Sequence, residues 1–189
     1  MTANNLHLVS LAADFATRRH ADQRRKGASR EPYINHLTEV AGLLAEATEG
    51  RDPELVAAGF LHDTLEDTET EYEELQLRFG KRVAKLVSEV TDDKSLPKTV
   101  RKRLQIVHTP KKSRRARLVK LADKISNLRS LATSPPADWN AKRAAEYVDW
   151  SEAVVKGCRG LNRQLEEAFD VAVSEARAAI GARTTRRNR

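Results

Sequence analysis

Residues 116–132 read ARLVKLADKISNLRSLA. Leu118, Leu121, Ala122, Ile125, Leu128 and Ala132 fall at helical spacing, a stripe that turns one face of an α-helix toward a core. Val119, Asp123 and Asn127 climb an adjoining face at intervals of four. An acid at the border of a buried stripe needs a partner, and a salt bridge to Lys120 or Lys124 is the ordinary way to supply one. The same periodicity extends outward along the chain. Leu8, Leu11, Ala12, Phe15 and Arg19 predict a helix over 5–25, closed by the loop KGASREP at 26–32. Leu37, Val40, Ala41, Leu44 and Ala45 predict a second from Tyr33 to near Gly50. Asp52 is placed to cap a third, with Pro53 at its first position and a nearly continuous apolar run over 55–61 that marks it as buried. Further helices are expected over about 71–79, 81–90, 98–107, 115–131, 142–155 and 162–179. Connections are short and no repeat or low-complexity block interrupts them. The expectation is one compact all-α unit over 1–180, followed by a basic, disordered tail at 181–189.

Composition points the same way. Eight Gly and six Pro are about 7% of the 189 residues, against a usual share of about 12%, too few turns for a many-stranded sandwich or barrel. The single cysteine, Cys158, excludes an intrachain disulfide and suits a reducing compartment. No apolar run approaches the roughly 20 residues of a membrane span, and the first 20 residues lack the pattern of a secretory leader, so an unexported, cytoplasmic protein with no membrane partner is expected. The 34 basic residues exceed the 27 acidic ones by seven, and Arg183, Arg186, Arg187 and Arg189 supply four of that excess. Such a balance permits an anionic partner without choosing among nucleotide, nucleic acid and membrane.

The densest chemical signal is LHDTLEDT at 61–68. His62, Asp63, Glu66 and Asp67 are three and four apart, so a continuing helix would crowd them on one face. Three carboxylates together repel unless a cation neutralises them, and imidazole with carboxylates is a ligand set for Mn, Fe, Co or Zn. A solvated acidic turn that ends the helix is the plainer alternative. His36, in PYINHLTEV, flanks an apolar stripe and could equally be a hydrogen-bonded core histidine.

Taken together, His36, the pair His62-Asp63 and the distant Asp123 resemble the pattern of HD-domain metal-dependent phosphohydrolases. The longer strings RRKGASREPYINH, FLHDTLEDT, FGKRVAKLVSEVTDDKSLP, LVKLADKISNL and GLNRQLEEAF resemble the hydrolase domain of the RelA/SpoT family, particularly its small, stand-alone alarmone hydrolases, over residues 12–169. The resemblance implies an HD-type helical fold and removal of the 3′-pyrophosphate from ppGpp or pppGpp to give GDP or GTP. It also implies one Mn²⁺ per chain on His36, His62, Asp63 and Asp123. Glu66 and Asp67 carry over as the groups that align and deprotonate water, and Asn127 as a donor to substrate or to that water. Arg25, Lys26 and Lys98 carry over as phosphate-binding positions, and Arg143 and Tyr147 as nucleotide contacts. Ser126 departs from relatives, which often carry His or Tyr there, and is expected to alter the shape of the nucleotide pocket. At 189 residues, alarmone synthesis by an added synthetase domain is not expected. An alternative is an HD-domain phosphatase of NADPH, dNTPs or another nucleotide; a nucleic-acid-binding module ranks last, because it leaves the acidic cluster unexplained.

Overall fold

The computed structural model describes residues 3–187. Its helices are α1 (Ala3–Arg19), α2 (Ile34–Ala47), α3 (Pro53–Leu61), α4 (Thr64–Asp67), α5 (Tyr72–Phe79), α6 (Lys81–Val90), α7 (Lys98–His108), α8 (Arg114–Thr133), α9 (Ala141–Val155) and α10 (Arg163–Arg187). Among the described residues the only β-type pairings are two isolated bridges, Arg24 with Pro32 and Gly27 with Pro136.

The decisive stretch is the central helix. α8 packs against α2, α3, α6, α9 and α10, and Leu118, Leu121, Ala122, Ile125 and Leu128 are all buried. Burial extends past the expected stripe to Val119, Lys120, Lys124 and Ser126, so polar groups of α8 must find partners inside the protein. α3 lies between α1 and α2. It starts as expected, with Asp52 accepting a hydrogen bond from the Leu55 amide and Pro53 in the first turn. Gly59 lets α3 press on α2, since a Cβ there would sit 3.0 Å from Ala41 Cα and 2.9 Å from a Leu44 methyl.

Three expectations differ from the structure. α1 ends at Arg19 rather than near 25, because residues 23–33 fold back on themselves: the Arg25 amide donates to Glu31 O and the Tyr33 amide to Gln23 O. The helix expected to carry His62 to Asp67 on one face breaks at Leu61. His62 Nδ1 takes the Gly59 carbonyl at 2.8 Å and the Thr64 hydroxyl takes the Leu61 carbonyl at 2.7 Å. Side chains thus occupy carbonyls that a continuing helix would use. His62 and Asp63 fall in a turn before the single-turn α4. Finally, α10 runs through the expected boundary at 180 to Arg187, with no Pro in its path and the Thr184 hydroxyl bonded to Ile180 O. Residues 188–189 of the expected tail lie outside the described residues.

Candidate metal centre

The break after Leu61 aims His62 and Asp63 toward α2 and α8. His36, His62 and Asp123 each bring one ligand-type atom within 4.8 Å of the others. Asp123 Oδ1 lies 3.4 Å from His36 Nε2 and 3.8 Å from His62 Nε2. Asp63 Oδ2 joins at 3.1 Å from His62 Nε2 and 3.7 Å from His36 Nε2. The first three ligand candidates thus form the tight cluster, and Asp63 reaches it through the same two imidazoles.

The donor set fits a divalent cation. His62 Nδ1 faces a backbone carbonyl, which only accepts, so Nδ1 holds the hydrogen and Nε2 a lone pair in the neutral ring. That Nε2 is buried and has no hydrogen-bond partner, since the nearby Asp63 carboxylate only accepts and cannot bond to a lone pair. A buried lone pair flanked by two carboxylates is an arrangement a cation completes. Without one, burial disfavours charge on His62, but Asp63 and Asp123 outweigh it and raise its pKa to about 10. His36 goes the other way: burial lowers its pKa against the pull of Asp123.

Both carboxylates have further donors. The Tyr33 hydroxyl donates to Asp63 Oδ2 at 2.7 Å. Lys124 Nζ, with its side chain 4% exposed, donates to Asp123 Oδ2 at 2.7 Å and lies 4.6 Å from the Trp150 ring centre. Burial alone would raise the Asp123 pKa, but Lys124 and the imidazoles hold it well below the usual carboxylate value. Asn127 Nδ2 donates to Asp123 Oδ1 at 2.6 Å, and its Oδ1 accepts from Arg25 Nη2 at 3.0 Å. The ion pair expected as the plainer reading of Asp123 therefore exists, but inside the cluster rather than instead of it.

A cleft of about 290 Å³ opens beside these groups, lined among others by Lys26, Glu66, Asp67, Lys120, Asn127 and Tyr147. Glu66 Oε2 accepts from the Asp92 amide at 3.1 Å and Oε1 from Arg101 Nη1 at 3.2 Å. Burial, with Asp63 and Asp92 nearby, pushes the Glu66 carboxyl above its usual pKa against that amide bond and Lys120. Asp67 pairs with Lys94. Tyr147 lies with its ring centre 5.3 Å from both Trp139 and Trp150.

Arg25, Lys98 and Arg143 do not line the cleft itself but border it. Arg25 reaches Asn127. Partial burial and then the like charges of Arg143, Lys26 and Arg101 lower the Lys98 pKa, which gathers these cations on one side. Arg143 is exposed, pairs with Asp138 at 3.1 Å and covers the Trp139 ring. The loop bearing Arg25 and Lys26 is pinned at Gly27, where an added Cβ would meet Ser134 O at 2.2 Å.

Ser126 corrects an expectation. It is 1% exposed and bonded to His36 and Glu39, so it shapes the back of the metal centre rather than the cleft wall. Sequence reasoning also passed over Tyr33, Asp92 and Arg101. Lys124, weighed only as a salt-bridge partner, carried a usable signal, a lysine between Ala122 and Ile125 in an apolar stretch.

Residues 12–149 match the HD domain family. The human protein named guanosine-3′,5′-bis(diphosphate) 3′-pyrophosphohydrolase MESH1 is 52% identical over 158 residues, covering 84% of this chain and 88% of its own. The Drosophila melanogaster protein of the same name is 44% identical over 156 residues, covering 82% and 87%. A solved structure of a metazoan SpoT ortholog, described as hydrolysing ppGpp, superposes with a TM-score of 0.85 at 40% identity, covering 89% of this chain and 94% of that one.

Proposed function

This chain belongs to the HD-domain family, and on that premise we propose that it hydrolyses the 3′-pyrophosphate of ppGpp and pppGpp to GDP or GTP and pyrophosphate, using one Mn²⁺. The observation that carries the site is the unpartnered His62 Nε2 between two carboxylates, opening on a cleft bordered by clustered cations. His36, His62, Asp63 and Asp123 would hold the ion, two neutral imidazoles and two negative charges being suited to a divalent cation. When bound, the cation supplies Lewis-acid polarisation of a phosphoryl oxygen and makes water more acidic.

The remaining steps belong to the protein's own groups. Glu66 takes the proton of the attacking water, a role that a carboxyl with a raised pKa performs better than an ordinary one. Asp67 orients that water, and Asn127, held by Asp123 and Arg25, donates to a substrate oxygen. Water adds to the phosphorus attached at the ribose 3′ oxygen, the bond from that phosphorus to the ribose oxygen breaks, and the proton taken by Glu66 passes to the departing oxygen to give the 3′ hydroxyl. Arg25, Lys26, Lys98 and Arg143 neutralise the phosphate oxygens through charge-assisted contacts. Tyr147, between two tryptophans, forms an aromatic wall for the nucleoside. The lone buried Cys158 supports a cytoplasmic setting, and among the described residues no helix is long and apolar enough to cross a membrane.

Mn²⁺-loaded protein is to be incubated with ppGpp, pppGpp, dNTPs and NADPH, with products read by phosphorus NMR. GDP or GTP with intact pyrophosphate is the expected result. Orthophosphate as first product, or turnover confined to dNTPs or NADPH, would replace this reading with the phosphatase one.

A further inference from the structure

Behind the metal centre lies a polar chain that the proposed mechanism does not use. His36 Nδ1 is 2.8 Å from the Ser126 hydroxyl, which is 2.6 Å from Glu39 Oε2. Glu39 Oε1 accepts from Arg129 Nη1 at 2.9 Å. His36 and Ser126 are 3% and 1% exposed, whereas the Glu39 side chain is 35% exposed, so the chain runs from the buried imidazole to the surface.

The direction of these bonds follows from what each group can do. An ionised carboxylate only accepts, so the single hydroxyl proton of Ser126 goes to Glu39. The hydroxyl then has only lone pairs to offer His36, and His36 Nδ1 must supply the hydrogen. In the neutral ring this leaves the lone pair on Nε2, the atom facing Asp63 and Asp123. His62 reaches the same tautomer through the Gly59 backbone carbonyl, which cannot reverse its role. A serine can, because alone it donates to or accepts from either tautomer. Glu39, anchored by Arg129, is what removes that freedom.

We propose that Glu39 and Ser126 form a positioning relay that fixes the Nε2-ligating tautomer of His36. The relay rests on the metal site proposed above. In it a hydroxyl stands between carboxylate and imidazole, where metal-binding histidines often meet the carboxylate directly. The choice of serine at this position therefore acts on the metal centre.

The test is calorimetric titration of the metal-stripped full chain with Mn²⁺, paired with ¹⁵N NMR of the histidine rings in the metal-free protein at a pH where His36 is neutral. Wild type should bind one Mn²⁺ and show His36 protonated at Nδ1. Ser126→Ala should weaken binding by about 10–100-fold, the usual scale for losing an outer partner of a ligand. Glu39→Ala, a change near the surface that leaves the core intact, should shift His36 toward a mixture of tautomers and weaken binding several-fold. The double variant should bind no more weakly than Ser126→Ala alone, since one chain is being cut twice. Affinity and His36 spectra within about twofold of wild type in Glu39→Ala, or losses in the double variant that multiply, would overturn the relay while leaving the metal site standing. No Mn²⁺ binding by wild type would overturn both.

Discussion

Replacing Glu66 by Gln separates chemistry from structure at the point where the two differ most in size. Both Glu66 oxygens accept, one from the Asp92 amide and one from Arg101. An amide has one accepting oxygen, so one donor is left facing an NH₂ group. Losing one such charge-assisted bond at this partly exposed pair costs about 1.5 kcal/mol, which lowers Tm by about 3–6 °C in a domain of this size. A fall of about 1.5 kcal/mol in transition-state stabilisation would slow turnover only about 13-fold. Loss of a general base removes about 100-fold or more, equivalent to about 2.7 kcal/mol. The kinetic loss must therefore exceed what the disturbed contacts can explain. The assay follows GDP formation from ppGpp at saturating Mn²⁺, with KM and kcat resolved and Tm measured on the same samples. A kcat within threefold of wild type, with the small drop in Tm present, would refute the role and move it to Asp67.

Gly27→Ala should displace the loop carrying Arg25 and Lys26 from Ser134, raising KM by about tenfold with kcat nearly kept, because these cations meet charge present in the ground state as well as the transition state; an unchanged KM in steady-state kinetics would count against that placement. Lys98→Met should show the same KM-dominated loss without the loop displacement, and a loss confined to kcat would contradict it. Chelation should lower Tm, and Mn²⁺ at about 100 times its Kd should restore about 2.7 kcal/mol, read as a rise of several degrees by calorimetry; no difference between stripped and loaded protein would argue against the centre. Burial would raise the Asp52 pKa, but the Arg115 guanidinium and the Leu55 amide outweigh it and depress the value. Its stabilisation should therefore be full above the ordinary aspartate value of about 3.9 and vanish as pH falls through the lower folded value; the Tm gap between wild type and Asp52→Ala should be flat from about pH 6 to 8 and close in acid, and a gap that widens in acid would contradict the pairing.

What could be read from the sequence depended on how local the cause was. α8 was legible because Leu118, Leu121, Ile125 and Leu128 repeat within the helix they define, and α3 because Asp52 and Pro53 cap it from the adjacent positions. His36, His62, Asp63 and Asp123 were singled out through residue chemistry and resemblance, and the structure brings them together. The break after Leu61 was hidden because it turns on two side chains competing for backbone carbonyls, which periodicity does not register. The position of Lys124 depends on Trp150 in another helix, and that of Ser126 on Glu39 in α2, contacts 26 and 87 residues apart in sequence. Ser126 shows the limit most clearly: its departure from relatives, and so an effect on the nucleotide pocket, can be read from the sequence, but its bonds to His36 and Glu39 cannot.

The central claim is that water attacks the 3′ phosphorus and the ribose oxygen leaves. Turnover of ppGpp in ¹⁸O-water, with both products analysed by mass spectrometry, tests that bond directly. One ¹⁸O in the released pyrophosphate and none in GDP is the predicted outcome. Label in the ribose 3′ hydroxyl of GDP, or labelled orthophosphate released ahead of any pyrophosphate, would contradict it.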